Sequence, residues 1–134
     1  MSLFVLDASA AIAWASPDEQ PPAAVARAVA KGGSVAPAIW LFEVQNTLAM
    51  LKRRGRLIGE DWAAAADALR AVPIEIEPAD RERAENEIPG LAEQCGLTVY
   101  DAAYLELARR RRIPLATLDE GLRKAARKAR VKLI

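Results

Sequence analysis

Four carboxylates stand at strand ends or in the opening turns of helices, and the chain offers little else for polar catalysis. Asp7 directly follows the apolar run Leu3–Leu6, and Asp119 follows Leu115–Thr117. Asp101 sits in the first turn of a helix predicted over Thr98–Arg111, and Glu43 lies one turn into a helix predicted over Ala38–Arg54. With no histidine and one cysteine, Ser-His-Asp and Cys-His catalysis, His-ligated zinc, intrachain disulfides and cysteine metal clusters are excluded. Each acid also has an ordinary use. Asp7 and Asp119 suit N-caps, Thr98 with Asp101 resembles a capping box, and Glu43 suits a solvated helix face. Glu43, however, shares its helical sector with Ile39, Asn46 and Met50, flanked by Trp40 and Thr47, so it is expected part-buried or facing a pocket. Asp101 is set among Val99, Tyr100, Ala102 and Ala103, an apolar neighbourhood for an acid. Four carboxylates sharing one cleft repel and take up protons, and a divalent cation removes that penalty. All-oxygen ligation selects a hard ion, Mg²⁺ or Mn²⁺. Such an ion keeps several waters and takes substrate phosphate oxygens, which is the chemistry of phosphodiester or phosphoryl transfer.

The elements that must position these acids read as alternating short strands and helices. Strands are predicted at Leu3–Leu6, Ser34–Ala36, Ile74–Glu77, Pro114–Thr117 and Val131–Ile134. Helices are predicted at Ala8–Ala15, Pro22–Lys31, Ala38–Arg54, Glu60–Ala71, Ala79–Cys95 with a break at Pro89-Gly90, Thr98–Arg111 and Glu120–Arg130. The pattern implies a parallel sheet covered on both faces, in which ligands sit at the carboxyl ends of the strands. At 134 residues the chain is one domain's length, and its 52% hydrophobic and 28% charged residues describe a globular composition. No apolar run approaches the ~20 residues of a membrane span, and Met1–Asp7 does not read as a secretory leader. A cytoplasmic location is therefore expected.

Four blocks, in this order, resemble the PIN-domain ribonucleases, specifically the toxins of VapBC-type toxin–antitoxin pairs. They are Val5-Leu6-Asp7-Ala8-Ser9-Ala10, Glu43-Val44-Gln45-Asn46-Thr47-Leu48, Tyr100-Asp101-Ala102-Ala103-Tyr104 and Leu115-Ala116-Thr117-Leu118-Asp119. The resemblance implies an α/β fold, a PIN-like three-layer αβα sandwich around a central parallel sheet of four or five strands, spanning residues 1–134 as a single domain. It implies a Mg²⁺- or Mn²⁺-dependent endoribonuclease in which Asp7, Glu43, Asp101 and Asp119 form the acidic, metal-binding quartet. Asp7 and Asp101 would contact the metal directly. Ser9, Asn46 and Thr117 would orient waters or carboxylates, although each also suits local capping. The family further implies a homodimer, with helices Ala38–Arg54 and Glu60–Ala71 and Trp62 as interface surfaces, although Trp62 equally suits plain core packing. It also implies a cognate antitoxin laid across the groove.

The neutral total hides an asymmetry. Residues 109–134 hold ten Lys/Arg against two acids, a net of +8, and leave the first 108 residues at −7. Arg109, Arg112, Arg123 and Lys124 are expected to flank the cleft and hold RNA phosphates, while solvated helix ends favoured by the helix dipole are the plainer reading. Phosphate contacts position a strand without choosing its sequence, and single-stranded or looped RNA suits a carboxylate-lined notch. No Gly-rich phosphate loop appears, which disfavours a nucleotide-binding ATPase or a dinucleotide oxidoreductase. The alternative to a nuclease is a catalytically silent PIN-like module that binds RNA or protein.

Overall fold

The computed structural model describes residues 2–134. Its strands are β1 (Phe4–Leu6), β2 (Ser34–Pro37), β3 (Ile74–Glu77) and β4 (Leu115–Ala116), all parallel, in the order β3-β2-β1-β4. The first two crossovers carry α1 (Ala8–Ala15), α2 (Ala23–Lys31), α3 (Trp40–Arg53) and α4 (Gly59–Ala71). The third carries α5 (Arg81–Glu85), α6 (Glu87–Cys95) and α7 (Val99–Arg111), and α8 (Glu120–Lys128) follows β4. The chain steps outward from β1 to β2 to β3 and then returns to the far side of β1. Right-handed crossovers therefore place the two helix groups on opposite faces, giving three layers. α1 packs against α2, α3 and α4, whereas α7 packs against α6, α8 and the strands β1, β2 and β4.

Short, fully apolar strands make this arrangement stable. Val5, Leu6, Val35, Leu115 and Ala116 have no exposed surface, as strands buried on both faces require. On α7, Ala102, Leu105, Leu107 and Ala108 are buried too, so α7 is apolar nearly all round its middle and lies between the sheet and its neighbouring helices. β3 is the edge, and its alternating Ile74-Glu75-Ile76-Glu77 turns carboxylates outward. There Arg110 grips Glu77 at 2.5 and 3.1 Å and Glu106 at 2.7 Å, and Arg111 reaches Glu75 at 2.6 Å. This ionic clamp covers an edge that would otherwise be open to pairing.

Two predicted elements differ from the fold. The helical stretch Ala79–Cys95 divides at Asn86, not at Pro89-Gly90. Pro89 falls in the first turn of α6, where the missing N–H has no intrahelical partner to lose. The predicted last strand, Val131–Ile134, contracts to a single parallel bridge between Leu115 and Leu133, because the two-residue β4 offers almost no ladder to extend. Trp62 is half-buried and packs on the core of its own chain, as the core-packing reading of it has it. Its indole N–H donates to the Leu48 carbonyl at 3.1 Å, and the Lys52 ammonium lies 4.5 Å above its ring.

Candidate acidic active site

The sheet order reverses between β1 and β4, and the carboxyl ends of those two strands open the crevice. Asp7 leaves β1 there and caps α1, its Oδ1 accepting the Ala10 N–H at 2.9 Å. The Ser9 hydroxyl donates to the same oxygen at 2.7 Å, and the Thr117 hydroxyl donates to Oδ2. Both hydroxyls are themselves fixed from the β4 side: Ser9 Oγ accepts the Leu118 N–H at 2.9 Å, and Thr117 Oγ1 accepts the Asp119 N–H at 3.1 Å. Two side chains thus stitch the ends of β1 and β4 through one buried carboxylate. Burial drives the Asp7 pKa up to about 6 despite these donors, with the charge of Asp101 adding to the rise.

The other acids surround it. Asp101 sits in the first turn of α7, which Thr98 caps by accepting the Asp101 N–H at 3.1 Å. Burial raises its pKa, and so does the charge of Asp119. Asp119 caps α8, Oδ2 accepting the Leu122 N–H at 2.8 Å. Gly121 keeps that carboxylate clear, since a Cβ there would stand 3.3 Å from Asp119 Oδ2. Glu43 projects from α3, half-buried as its sector predicts, and its pKa is raised by burial and by Asp101. Asp101 is therefore the electrostatic hub: Asp7 and Glu43 each feel its charge, and it feels that of Asp119. Among the described residues, no three carboxylates stand together at ligand spacing.

The remaining predicted residues divide. Ser9 and Thr117 hold Asp7, while Asn46 lies exposed on α3 with its amide 3.6 Å from Met50 Sδ and out of the network. Arg123 lines the crevice, its guanidinium donating to the Thr117 carbonyl at 3.0 Å, and Lys124 follows it on the exposed face of α8. Arg109 and Arg112, expected to flank the cleft, lie at the other end of α7. Arg112 follows Asp101 by eleven residues, about 16 Å along a helix rising 1.5 Å per residue. Adjacency in sequence misleads here because a helix of this length carries its two ends to opposite edges of the sheet.

One side chain that holds a candidate site acid is given no role by sequence reasoning. Tyr104 is buried and donates its hydroxyl to Glu43 Oε1 at 2.6 Å. Burial and the surrounding negative charges, that of Glu43 first among them, keep the phenol protonated and therefore a donor. Its signals in the sequence are its place one turn after Asp101 on the same face of α7 and its position closing the block Tyr100-Asp101-Ala102-Ala103-Tyr104.

The layout so far is that of a doubly wound α/β protein with carboxylates gathered at its switch point. Residues 4–128 match the PIN domain, and the chain belongs to that family, whose members are generally nucleases. Its fold is similar to that of PAE2754 from Pyrobaculum aerophilum, with a TM-score of 0.72 and 27% identity over 92% of this chain and 79% of that one. It is also similar to FitAcB from Neisseria gonorrhoeae, with a TM-score of 0.63 and 20% identity over 98% and 96% of the two chains, a likeness of fold alone. No curated protein matches the chain.

The donor set suits a hard divalent cation. Burial first, and a neighbouring carboxylate after it, raise the pKa of Asp7, Glu43 and Asp101, and a cation placed among them would relieve part of that penalty. Oδ1 of Asp7 already accepts two hydrogen bonds and Oδ2 one, which leaves a single lone pair on Oδ2 free for a cation.

Proposed function

We propose that the chain is a Mg²⁺- or Mn²⁺-dependent endoribonuclease that acts as the toxin of a toxin–antitoxin pair. The observation that carries this reading is the gathering of four acids over the switch point, three of them with pKa values raised first by burial and also by a neighbouring carboxylate, a penalty that a divalent cation would relieve. The bound metal would polarise the scissile phosphate and lower the pKa of the attacking water. Asp7 offers its free Oδ2 lone pair and Asp101 its carboxylate as direct ligands, with Asp119 completing the acidic rim. Glu43 has one oxygen occupied by Tyr104, so its second oxygen is left to take a metal contact or to orient the water. Ser9 and Thr117 keep Asp7 from rotating, and Arg123 and Lys124 meet phosphates beside the acids.

The partners follow from the surface around the site. Phe42 is 71% exposed and Tyr100 58% exposed, each next in sequence to a site acid, with Leu41 and Val99 also exposed. Apolar side chains open beside an acidic notch suit an antitoxin segment that covers them and points an arginine at the carboxylates. The same exposed group, together with Ile58 after α3, supports a homodimer. No described helix is long and apolar enough to cross a membrane.

The silent-binder reading rests on one observation: among the described residues no three carboxylates stand together at ligand spacing. Mg²⁺ accommodates this, because it takes few carboxylates directly and the rest through water. The test is cleavage of single-stranded RNA by the purified chain with Mg²⁺ or Mn²⁺. Loss of cleavage in EDTA and in Asp101→Asn is expected. Cleavage that survives EDTA overturns the metal mechanism, and RNA binding with no cleavage in either metal selects the silent binder.

A further inference from the structure

The cations at the far end of α7 and α8 form a site of their own. α7 and α8 pack together, both begin at the acids, and both end on the opposite edge of the sheet. There a cleft of about 320 Å³ is lined by Arg109, Arg112, Arg130 and Lys132, with no acid among its lining residues. None of these four forms an ion pair among the described residues, whereas the adjacent Arg110 and Arg111 are consumed by Glu77, Glu106 and Glu75. The helix dipole accounts for basic residues in a last turn. It does not account for Arg130 and Lys132, which lie beyond the end of α8, nor for their convergence on Arg112.

The backbone supplies the second observation. Four helix ends share one closure, in which an N–H reaches back five residues to a carbonyl: Arg56 to Leu51, Leu97 to Ala92, Ile113 to Ala108 and Val131 to Ala126, at 2.8–3.0 Å. The residue before each donor must adopt the left-handed conformation, with φ of +66° at Gly55, +65° at Gly96, +55° at Arg112 and +60° at Arg130. Glycine is the ordinary occupant, and an L side chain there is disfavoured. The chain uses glycine at the two ends away from the cleft and arginine at the two ends that line it. Both arginines thus hold a backbone conformation that glycine adopts without strain, and both side chains line the cleft.

We propose that this cleft is a second phosphate-binding site, which holds the backbone of an RNA strand downstream of the acidic crevice. The exposed face of α8 joins the two. Arg123 stands at the crevice, then Lys124, Arg127 and Lys128 lie exposed along one side of the helix, and Arg130 opens the cleft. From Arg123 to Arg130 the span is about 10 Å at 1.5 Å per residue. A strand cut at the acids would run along this row with its next phosphates seated between Arg112 and Arg130, which makes long single strands better ligands than short ones. The proposal takes its ligand from the ribonuclease reading above.

The test is fluorescence anisotropy with labelled oligouridylate of about 20 nucleotides, measured in EDTA across a salt series so that binding is read without cleavage. Arg112→Gly with Arg130→Gly relieves the left-handed strain, so this variant is expected to fold with an unchanged or higher Tm. It removes two phosphate contacts, so the slope of log K against log[salt] should fall by about 1.4. The charge-matched control, Arg53→Gln with Arg56→Gln, should leave the slope at the wild-type value. An unchanged slope in the glycine variant, or an equal fall in the control, overturns the cleft. Failure of the nuclease reading is separate: wild type that binds with this slope change but never cleaves keeps the cleft and loses the catalysis.

Discussion

The two ends of the α7–α8 pair are built from opposite materials. At the carboxyl edge of the sheet, Asp7, Asp101 and Asp119 sit at helix N-termini, where the dipole favours negative charge, and burial still raises the pKa of Asp7 to about 6. At the amino edge, Arg109, Arg112, Arg130 and Lys132 sit at or just beyond helix C-termini and line an open cleft without acids. The acids are fixed tightly: Asp7 alone receives three hydrogen bonds, and Glu43 is held by Tyr104. The cations are long and free of ion pairs. A site that holds a metal and a reacting phosphate needs ligands fixed to fractions of an ångström, whereas a site that follows a flexible polyanion needs charge alone.

The acidic end breaks first and most. Asp101→Asn removes the group coupled to the other three acids and should lower RNA cleavage by more than about 100-fold, beyond what loss of an outer partner of a metal ligand produces. A single-turnover assay with saturating Mn²⁺ measures it, and near-wild-type rates would mean that this end is not the reacting one.

A pH test sharpens the contrast next. Asp7 has a folded pKa of about 6 against an ordinary 3.8, so between those values the native state binds more protons than the unfolded one. The contribution of Asp7 to metal-free stability is then greatest below about pH 4, falls as pH rises toward 6 and levels above it, by up to about 3 kcal/mol. Tm measured in EDTA should show that fall, and Asp7→Asn should flatten it, because asparagine caps a helix as well as aspartate does. Adding Mg²⁺ or Mn²⁺ should raise the wild-type Tm more at about pH 7.5 than at about pH 5, since the metal competes with the proton. A difference in Tm between wild type and Asp7→Asn that rises with pH across this window in EDTA contradicts the buried, charge-starved acid.

Tyr104→Phe deletes only the hydrogen bond to Glu43 Oε1. About 10-fold lower activity is expected, with a raised metal requirement. An equal loss of activity at every metal concentration would point to simple repacking. The smallest effect belongs to the clamp on the sheet edge. Glu77→Gln weakens a pair whose arginine side chain is 31% exposed, so about 1 kcal/mol of salt-sensitive stability should be lost. Cleavage should not change, because the clamp contacts none of the four acids.

Much of the fold was legible in local patterns. Leu3–Leu6, Ser34–Ala36 and Ile74–Glu77 read as strands because β-branched and apolar runs end at polar or proline residues. The helices end near their glycines and prolines, with Arg112 and Arg130 as the exceptions that no propensity would suggest. The break at Asn86 was hidden because Pro89 is the louder breaker, yet the first turn of α6 tolerates it. Of the site, Asp7, Asp119 and Asp101 were readable from their positions at element ends, and Glu43 from its apolar sector. Tyr104 was not, since an aromatic on a buried helix face is ordinary core until its hydroxyl is seen to meet Glu43.

Residue types and spacing alone determined that this chain, without histidine, turns acids outward from the ends of short parallel strands, because strand and helix periods are local properties of the sequence. Only the tertiary structure decided which charges share a place. It set Asp101 among three acids separated from it by up to 94 positions in the chain, and it carried Arg109 and Arg112, nearby in sequence, to the opposite edge. The reason is geometric: a helix fixes the distance between its own ends, while the return of the chain across β1 fixes which ends meet.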